Sequence, residues 1–492
     1  MRFHSWRGRE MRKSLLLFAS LIVVLSMALA GCAPAATEAP AEAPAAPAEQ
    51  PAAPAEAPAA PAEKTVLDVW SFTNEIRTMG IAFEKEHPEV DVVYTMIPMT
   101  NGEYQTKLKA ALGTEDVPDV VALEAAFVKE WVEADFLADL NDLLPLTEEL
   151  KTYPAVVDVG TNEGVAKGFS YQSTPGGFFY RRSIAKECLG TDDPAAVQEM
   201  VADLEKFVET AATIKECTGG KYFMVGTSAE LFNPFLANRA QPWIVDDTLV
   251  IDPMVESYVD FAKMMRDNGY ESQATQWSEG WFAGMSDTLV DAEGNPVRVF
   301  SYFLPTWGLP YVLQPNSGET GGDWALIKGP MPYQWGGTWV GAMADSPNLD
   351  LAKEFIKFVA LDEENLTNWA TGVYTNEYLK AIDPETPEDQ KQSPGDFVSS
   401  QVVVEKITPS FDGSELYEWL GGQNNYEAFN EAAKLVNGKL MTGSDDAIQR
   451  AMNDPLASYL NGDITEAEFW QQWLDAVQNL FPELTIPEPP AS

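Results

Sequence analysis

"VLDVWSFTNEIRTMGIAFEKEHPEVDVVYTMIP", residues 66–98, changes its hydrophobic period twice within 33 positions. VLDVW at 66–70 is apolar and rich in valine, as a buried strand requires. GIAFEKEH at 80–87 reads as a helix with a charged face, and VDVVYTMIP at 90–98 alternates like a second strand. The pattern continues downstream. YQTKLKAALGT (104–114) predicts a helix, PDVVAL (118–123) a buried strand and AAFVKEWVEADFLADL (125–140) another helix. Strands alternating with helices imply βαβ units, a largely parallel sheet covered on both faces, and ligand loops at the carboxyl ends of the strands. The predicted fold class is α/β.

Upstream, Arg2, Arg7, Arg9, Arg12 and Lys13 precede the apolar run LLLFASLIVVLSMALA, too short to span a bilayer comfortably. Leu29-Ala30-Gly31-Cys32 follows it, and residues 1–31 read as a signal peptide. Small residues directly ahead of Cys32 resemble the lipobox of bacterial lipoproteins, which implies cleavage before Cys32 and lipidation of its thiol and new amine. An ordinary secretory signal with a chance cysteine is the alternative. Met11 opens a second, shorter signal. Residues 33–63 contain little apolar besides alanine, and their recurring prolines block helix hydrogen bonds. With Cys32 they predict a stiff tether, 32–63, that at about 3.1 Å per residue reaches on the order of 100 Å. No later stretch is long and apolar enough to span a bilayer.

The 492 residues carry a net charge of −43; without the five basic and one acidic residues of the leader, 27 basic and 74 acidic groups leave −47. Such a surface repels phosphate backbones and speaks against a nucleic-acid partner. Beyond Cys32 the cysteines are Cys188 and Cys217. In an exported chain the pair predicts a disulfide, with two buried thiols as the alternative. His87, in KEHPEV, is the one histidine beyond the leader, so Ser–His–Asp, Cys–His and zinc sites have little to build on. No phosphate-binding glycine loop occurs, and no cofactor or metal is expected. A glycosidase-like carboxylate pair is uninformative among so many acids.

Residues 177–328 form a second block, less regular and rich in Trp, Pro and Gly. DLAKEFIKFVALDEENLTNWA (350–370) restores helical periodicity, with Leu351, Phe355, Phe358 and Val359 on one face. Thr465 and Glu468 form a predicted capping box ahead of FWQQWLDAVQNLF, and residues 487–492 are tail.

Taken in order, the lipobox, the proline-rich tether and VLDVWSF…AFEKEHPEVDV…YQTKLKAAL…VPDVVALEAAFVKEWVEADFLADLNDLL resemble the extracellular solute-binding lipoproteins of ABC importers. The resemblance is to the carbohydrate-binding group that includes maltose-binding protein. YQSTPGGFFYRRSIAKE is similar to the family's first crossing between lobes, and GGTWVGAMADSPNLDLAKEFIKFVALDEEN to the return crossing. What this implies is a bilobal α/β receptor with a ligand cleft between hinged lobes. Lobe 1 would comprise 64–173 and 328–370; lobe 2 would comprise 174–327 and 371–486. A monomer is implied, anchored outside the membrane by lipid and serving a permease. A secreted carbohydrate hydrolase and an envelope adhesin or scaffold stay open as rivals.

A sugar site needs flat aromatic faces and a few fixed polar groups. Trp70 ends the first strand and Glu124 follows the strand PDVVAL; a core indole and a surface acid are their bland alternatives. Tyr171 and Ser173 lie at the implied first crossing, where a hinge role competes with ligand contact. Trp307, in FLPTWGLPY, resembles the family's Gly-x-Trp stretch. In KGPMPYQWGGTWVGAM (328–343), Trp335, Gly336, Gly337 and Trp339 are implied on the cleft wall, with the core as the alternative for Trp339. Trp277 and Trp281, four residues apart, read as one helical face and more as core than platform.

Overall fold

The computed structural model describes residues 64–387, 390 and 396–490. The signal peptide, Met11, Cys32 and the tether lie outside the described residues.

Nine strands carry the two main sheets: β1 (Thr65–Ser71), β2 (Val90–Met96), β3 (Val120–Glu124), β4 (Phe169–Ser170), β5 (Gly176–Arg181), β6 (Tyr222–Val225), β7 (Arg298–Pro305), β8 (Trp324–Ile327) and β9 (Thr338–Ala342). The first sheet runs β2-β1-β3-β9-β4. Its β1, β2 and β3 are parallel, as the βαβ reading of residues 66–123 requires. β9 returns antiparallel between β3 and β4. The second sheet, β8-β5-β7-β6, departs from the expectation of largely parallel strands. There β5 pairs antiparallel with both β7 and β8, and only β7–β6 is parallel.

Two apolar clusters form the core, and the first reaches beyond the first sheet to one face of the second, including Phe179, Tyr302 and Trp324. Leu67, Val69, Phe83, Val121, Leu123 and Phe355 pack about the first sheet, and Phe178, Tyr180, Phe300, Phe303, Trp470 and Trp473 about the second. β5 is buried along its whole length. The strand period of two sends Phe178 and Tyr180 into the second core and Phe179 into the first. Cys188 and Cys217 form a disulfide, Cα–Cα 5.6 Å, tying the helix Arg182–Leu189 to the helix Leu204–Thr218.

Residues 350–370 form two helices rather than one. Leu349–Leu361 stops at Asp362, whose carboxylate caps Glu363–Thr371 by accepting from Asn365 N. Thr465 and Glu468 make the reciprocal capping box that starts Glu466–Leu480.

The expectation that residues 371–486 belong wholly to the second lobe does not hold. Asn376–Ile382 packs on the helix Glu75–Glu86, and Gln401–Ile407 packs on Glu363–Thr371. Their apolar faces, Leu379, Val403 and Val404, complete the first core. From Asn425 the chain serves the second sheet: Asn425–Ala433 packs on β5 and β8, and Asp445–Asn461 on Pro253–Asp267.

At the waist three extended segments lie side by side. Trp335 N donates to Thr174 O, Gly176 N to Tyr333 O, Ser173 N to Phe397 O and Ser399 N to Tyr171 O. The chain passes from β4 to β5 through the first segment and from β8 to β9 through the second.

Candidate functional site: a cleft between the sheets

Pairing of β9 with β3 sets Thr338 opposite Glu124, so the turn before β9 lies against the carboxyl end of β3. Gly336 and Gly337 adopt φ of +79° and +120°, a backbone open to glycine at little steric cost. The turn is pinned from two sides: Thr174 Oγ1 donates to Gly336 O (2.7 Å) and Ala125 N to Gly337 O (3.0 Å). A Cβ on Gly336 would stand 2.7 Å from Trp307 Nε1 and 3.6 Å from Glu124 Oε1. Glycine there lets an indole, a carboxylate and backbone converge.

A cavity of about 250 Å³ opens at this point. Its walls include Glu124, Trp335 and Gly336 from the first sheet and the waist, and Arg239, Asp446 and Gln449 from elements of the second body. Trp335 meets two further indoles edge to face, Trp307 at 5.4 Å and Trp277 at 5.7 Å. Those two are nearly parallel, 11° apart, with centroids separated by 6.3 Å. Trp277 is 45% exposed.

Glu124 Oε2 accepts from Ala126 N at 2.7 Å. Desolvation, and next the negative charge of Asp446, push its pKa up to about 7. Near neutrality the carboxyl therefore switches between hydrogen-bond donor and pure acceptor. Arg239 is buried; it donates from Nε to Leu236 O and from Nη2 to Asp445 (3.1 Å), and its guanidinium lies 4.5 Å from the Trp243 ring centroid. Its Nη1 has no hydrogen-bond partner among the described residues. Fixed donors, an acceptor and apolar ring faces suit a polyhydroxylated molecule.

Nearer the waist lies a wider recess of about 380 Å³, lined by Phe72, Thr73, Glu75, Met96, Tyr311 and Trp369 among others. Phe72, Thr73 and Glu75 come from the loop after β1 and the start of the next helix, Met96 from the end of β2 and Trp369 from Glu363–Thr371; Tyr311 faces them from Leu309–Leu313.

The structure thus brings together Glu124, Trp307, Trp335, Gly336 and Gly337. Three other expected contacts fall elsewhere. Trp339 is 1% exposed and its Nε1 donates to Val156 O, because β9 is covered on both faces. Tyr171 is fully buried, edge-on to Trp369 at 5.8 Å. Trp70 is half-buried on β1 and lines neither chamber; the loop that follows it lines the second. Ser173 is buried in the waist ribbon.

Trp281 is core, its Nε1 donating to Glu230. Trp277 is not on the same helix: Ser278 caps Glu279–Met285, and Trp277 precedes the cap with φ of +69°. The serine ahead of Glu-Gly-Trp was the signal that separates the two indoles. Arg239, Glu75 and Tyr311 carried no comparable signal.

His87 stacks on Phe83 with centroids 4.2 Å apart and lines neither chamber. Among the described residues no group of three or more His, Cys, Asp or Glu side chains could hold a metal ion. Among them, too, no helix is long and apolar enough to cross a membrane.

Two sheet-centred bodies joined by a hydrogen-bonded waist, with an aromatic and carboxylate-lined cleft between them, define a bilobal binding protein. Residues 78–389 match the family described as bacterial extracellular solute-binding protein, and the chain belongs to that family. Its family places it outside the cytoplasm. No curated protein matches the sequence. Among solved structures, an extracellular solute-binding protein of family 1 superposes with a TM-score of 0.67 at 16% identity, covering 84% of this chain and 99% of that one. The sugar-binding protein MalE from the phytopathogen Xanthomonas citri gives 0.63 at 16% identity, over 85% and 97% of the two chains. The ABC transporter associated binding protein from B. animalis subsp. lactis Bl-04, in complex with beta-1,6-galactobiose, gives 0.61 at 19% identity, over 87% and 100%. At these identities the likeness is one of fold.

Proposed function

We propose that the protein captures a sugar or short oligosaccharide in the cleft and delivers it to the membrane permease of an ABC importer, without covalent chemistry. The observation that carries this reading is the wall of Trp277, Trp307 and Trp335 standing beside Glu124 across a glycine turn. Indole faces cover the C–H faces of a pyranose, while Glu124 and Arg239 meet its hydroxyls. The sugars bound by the structurally similar proteins support the same class of ligand. The first sheet with its helices acts as one lobe and the second as the other, closing about the waist on the ligand. Lipid on Cys32 and the tether hold the monomer beside the membrane. Replacing Cys32 by Ala should release the protein from the membrane fraction.

The test is thermal denaturation against a panel of mono- and oligosaccharides that includes β-1,6-galactobiose and maltotriose. A ligand that binds only the folded protein raises its melting temperature by mass action, about 2.7 kcal/mol at a hundredfold excess over Kd. A shift that is saturable and lost in Trp335→Ala supports the reading. No shift with any sugar, or a shift with non-carbohydrate solutes alone, overturns it.

A further inference from the structure

Below the sugar cleft the waist encloses a second polar group. Asp396 precedes the third waist segment and is 2% exposed. Its Oδ2 accepts from Trp369 Nε1 (2.8 Å) and Gln172 Nε2 (3.3 Å), joining the first waist segment to the helix Glu363–Thr371. Its Oδ1 has no hydrogen-bond partner among the described residues, and neither has the phenolic oxygen of buried Tyr171. Glu75, the first residue of the helix after β1, brings a second carboxylate: it lines the recess together with Trp369, the indole that donates to Asp396, and the charge of Asp396 bears on it while its own bears on Tyr171. A buried carboxylate oxygen without a donor, beside another carboxylate, is costly while both are ionised.

We infer that Glu75 and Asp396 together hold one proton at the waist and that holding it favours closure of the cleft. The structure supplies the coupling. Glu75 lines the recess that Tyr311 faces from the second body. Closure brings that body over Glu75, removes water from the carboxylate and disfavours its charged form. The closed state then binds the proton more tightly than the open state, so lower pH favours the closed state. Burial, and next the charge of Asp396, already push Glu75 up to about 7, and burial pushes Asp396 up to about 6. The groups facing the pair are Tyr171 and Gln172 from the first waist segment, Trp369, Tyr311, and Tyr426, whose hydroxyl donates to Asp396 O. Arg77 is two residues on from Glu75 in the same helix, its guanidinium 5.9 Å from the centroid of the Tyr94 ring.

The inference rests on hinge closure but not on the identity of the ligand, so its test uses none. Small-angle scattering of the ligand-free protein is recorded from pH 8.5 to 5.5. The radius of gyration should fall across this range, with the closing constant rising by at most about tenfold per pH unit for one linked proton. Glu75→Gln, which keeps the shape and removes the charge, should be compact at both ends. Asp396→Asn should also flatten the profile, with circular dichroism reporting whether it folds. A radius independent of pH in the parent protein overturns the inference. So does an undiminished pH response in folded Glu75→Gln, because the response would then belong to the other carboxylates.

Discussion

Trp307 Nε1 donates to the carbonyl oxygen of Trp335 across 3.0 Å, while the two rings meet edge to face. One indole, from the segment after β7, thereby fixes the backbone that presents the other, from the segment before β9. The two residues are 28 positions apart, Trp307 on a loop of the second sheet and Trp335 on the second waist segment. The aromatic wall is thus held by a hydrogen bond as well as by packing.

Trp335→Ala should remove the central ring while leaving the glycine turn intact. A buried aromatic contact at the centre of a site contributes about 2 kcal/mol, so affinity for the sugar found by the thermal screen should fall roughly 30-fold. Trp335 is only partly buried, and the melting temperature should change little. Titration calorimetry reads the first quantity and a thermal melt the second. Unchanged affinity would remove Trp335 from the site.

Gly336→Ala is the more damaging small change. Its φ of +79° strains an L residue, and the new Cβ would meet Trp307 Nε1 at 2.7 Å. The variant should lose about 1 kcal/mol or more of stability, and sugar affinity with it as Trp307 is displaced. Equal stability and affinity would mean that the turn is looser than this packing implies.

The sequence carries these features unevenly, for physical reasons. β1, β2 and β3 were legible because a local period sets their burial, and Glu124 because it ends one of them. Trp335 and its glycines are contiguous and announce a turn. The two positive-φ glycines also break the extended run, so alternation could not assign Trp335 and Trp339 to faces. The burial of Trp339 depends on β4 and the helix Pro154–Val159, distant in sequence. Arg239 is tied to the cavity's far wall through Asp445, 206 residues away. The C-terminal helices divide between two cores by which apolar surface remains uncovered, a property of the whole fold.

The disulfide should be worth measuring separately from the cleft. Closing a loop with a sequence separation of 29 restricts the unfolded chain by about 3–4 kcal/mol in the chain-entropy account. The double variant Cys188→Ser, Cys217→Ser should melt several degrees lower under oxidising conditions. Its sugar affinity should hold, because neither cysteine lines the cavity. Equal melting temperatures would assign no stabilising role to the bond.

Glu124 gives a pH dependence of definite sign. Its folded-state pKa lies above the ordinary carboxyl value of 4.5, at about 7. Between those values the folded protein holds a proton that the unfolded chain releases, so this group's contribution makes stability fall as pH rises from about 4.5 to 7. Glu124→Gln should flatten that part of the profile, giving a smaller loss of melting temperature between pH 5.5 and 7.5 than the parent shows. A variant profile parallel to the parent's would place the titration elsewhere.

Trp339→Phe separates the two indoles of residues 335–339. Trp339 is buried, and its Nε1 satisfies Val156 O at 2.9 Å. Phenylalanine fills most of the space but leaves that carbonyl without its donor, a loss of about 1–3 kcal/mol. The melting temperature should therefore drop while the affinity of the folded protein for sugar stays within about twofold, the reverse of the pattern for Trp335→Ala. The contrast is the useful measurement. A fall in affinity at unchanged stability would bring Trp339 to the cleft surface and require β9 to turn in the ligand-bound form.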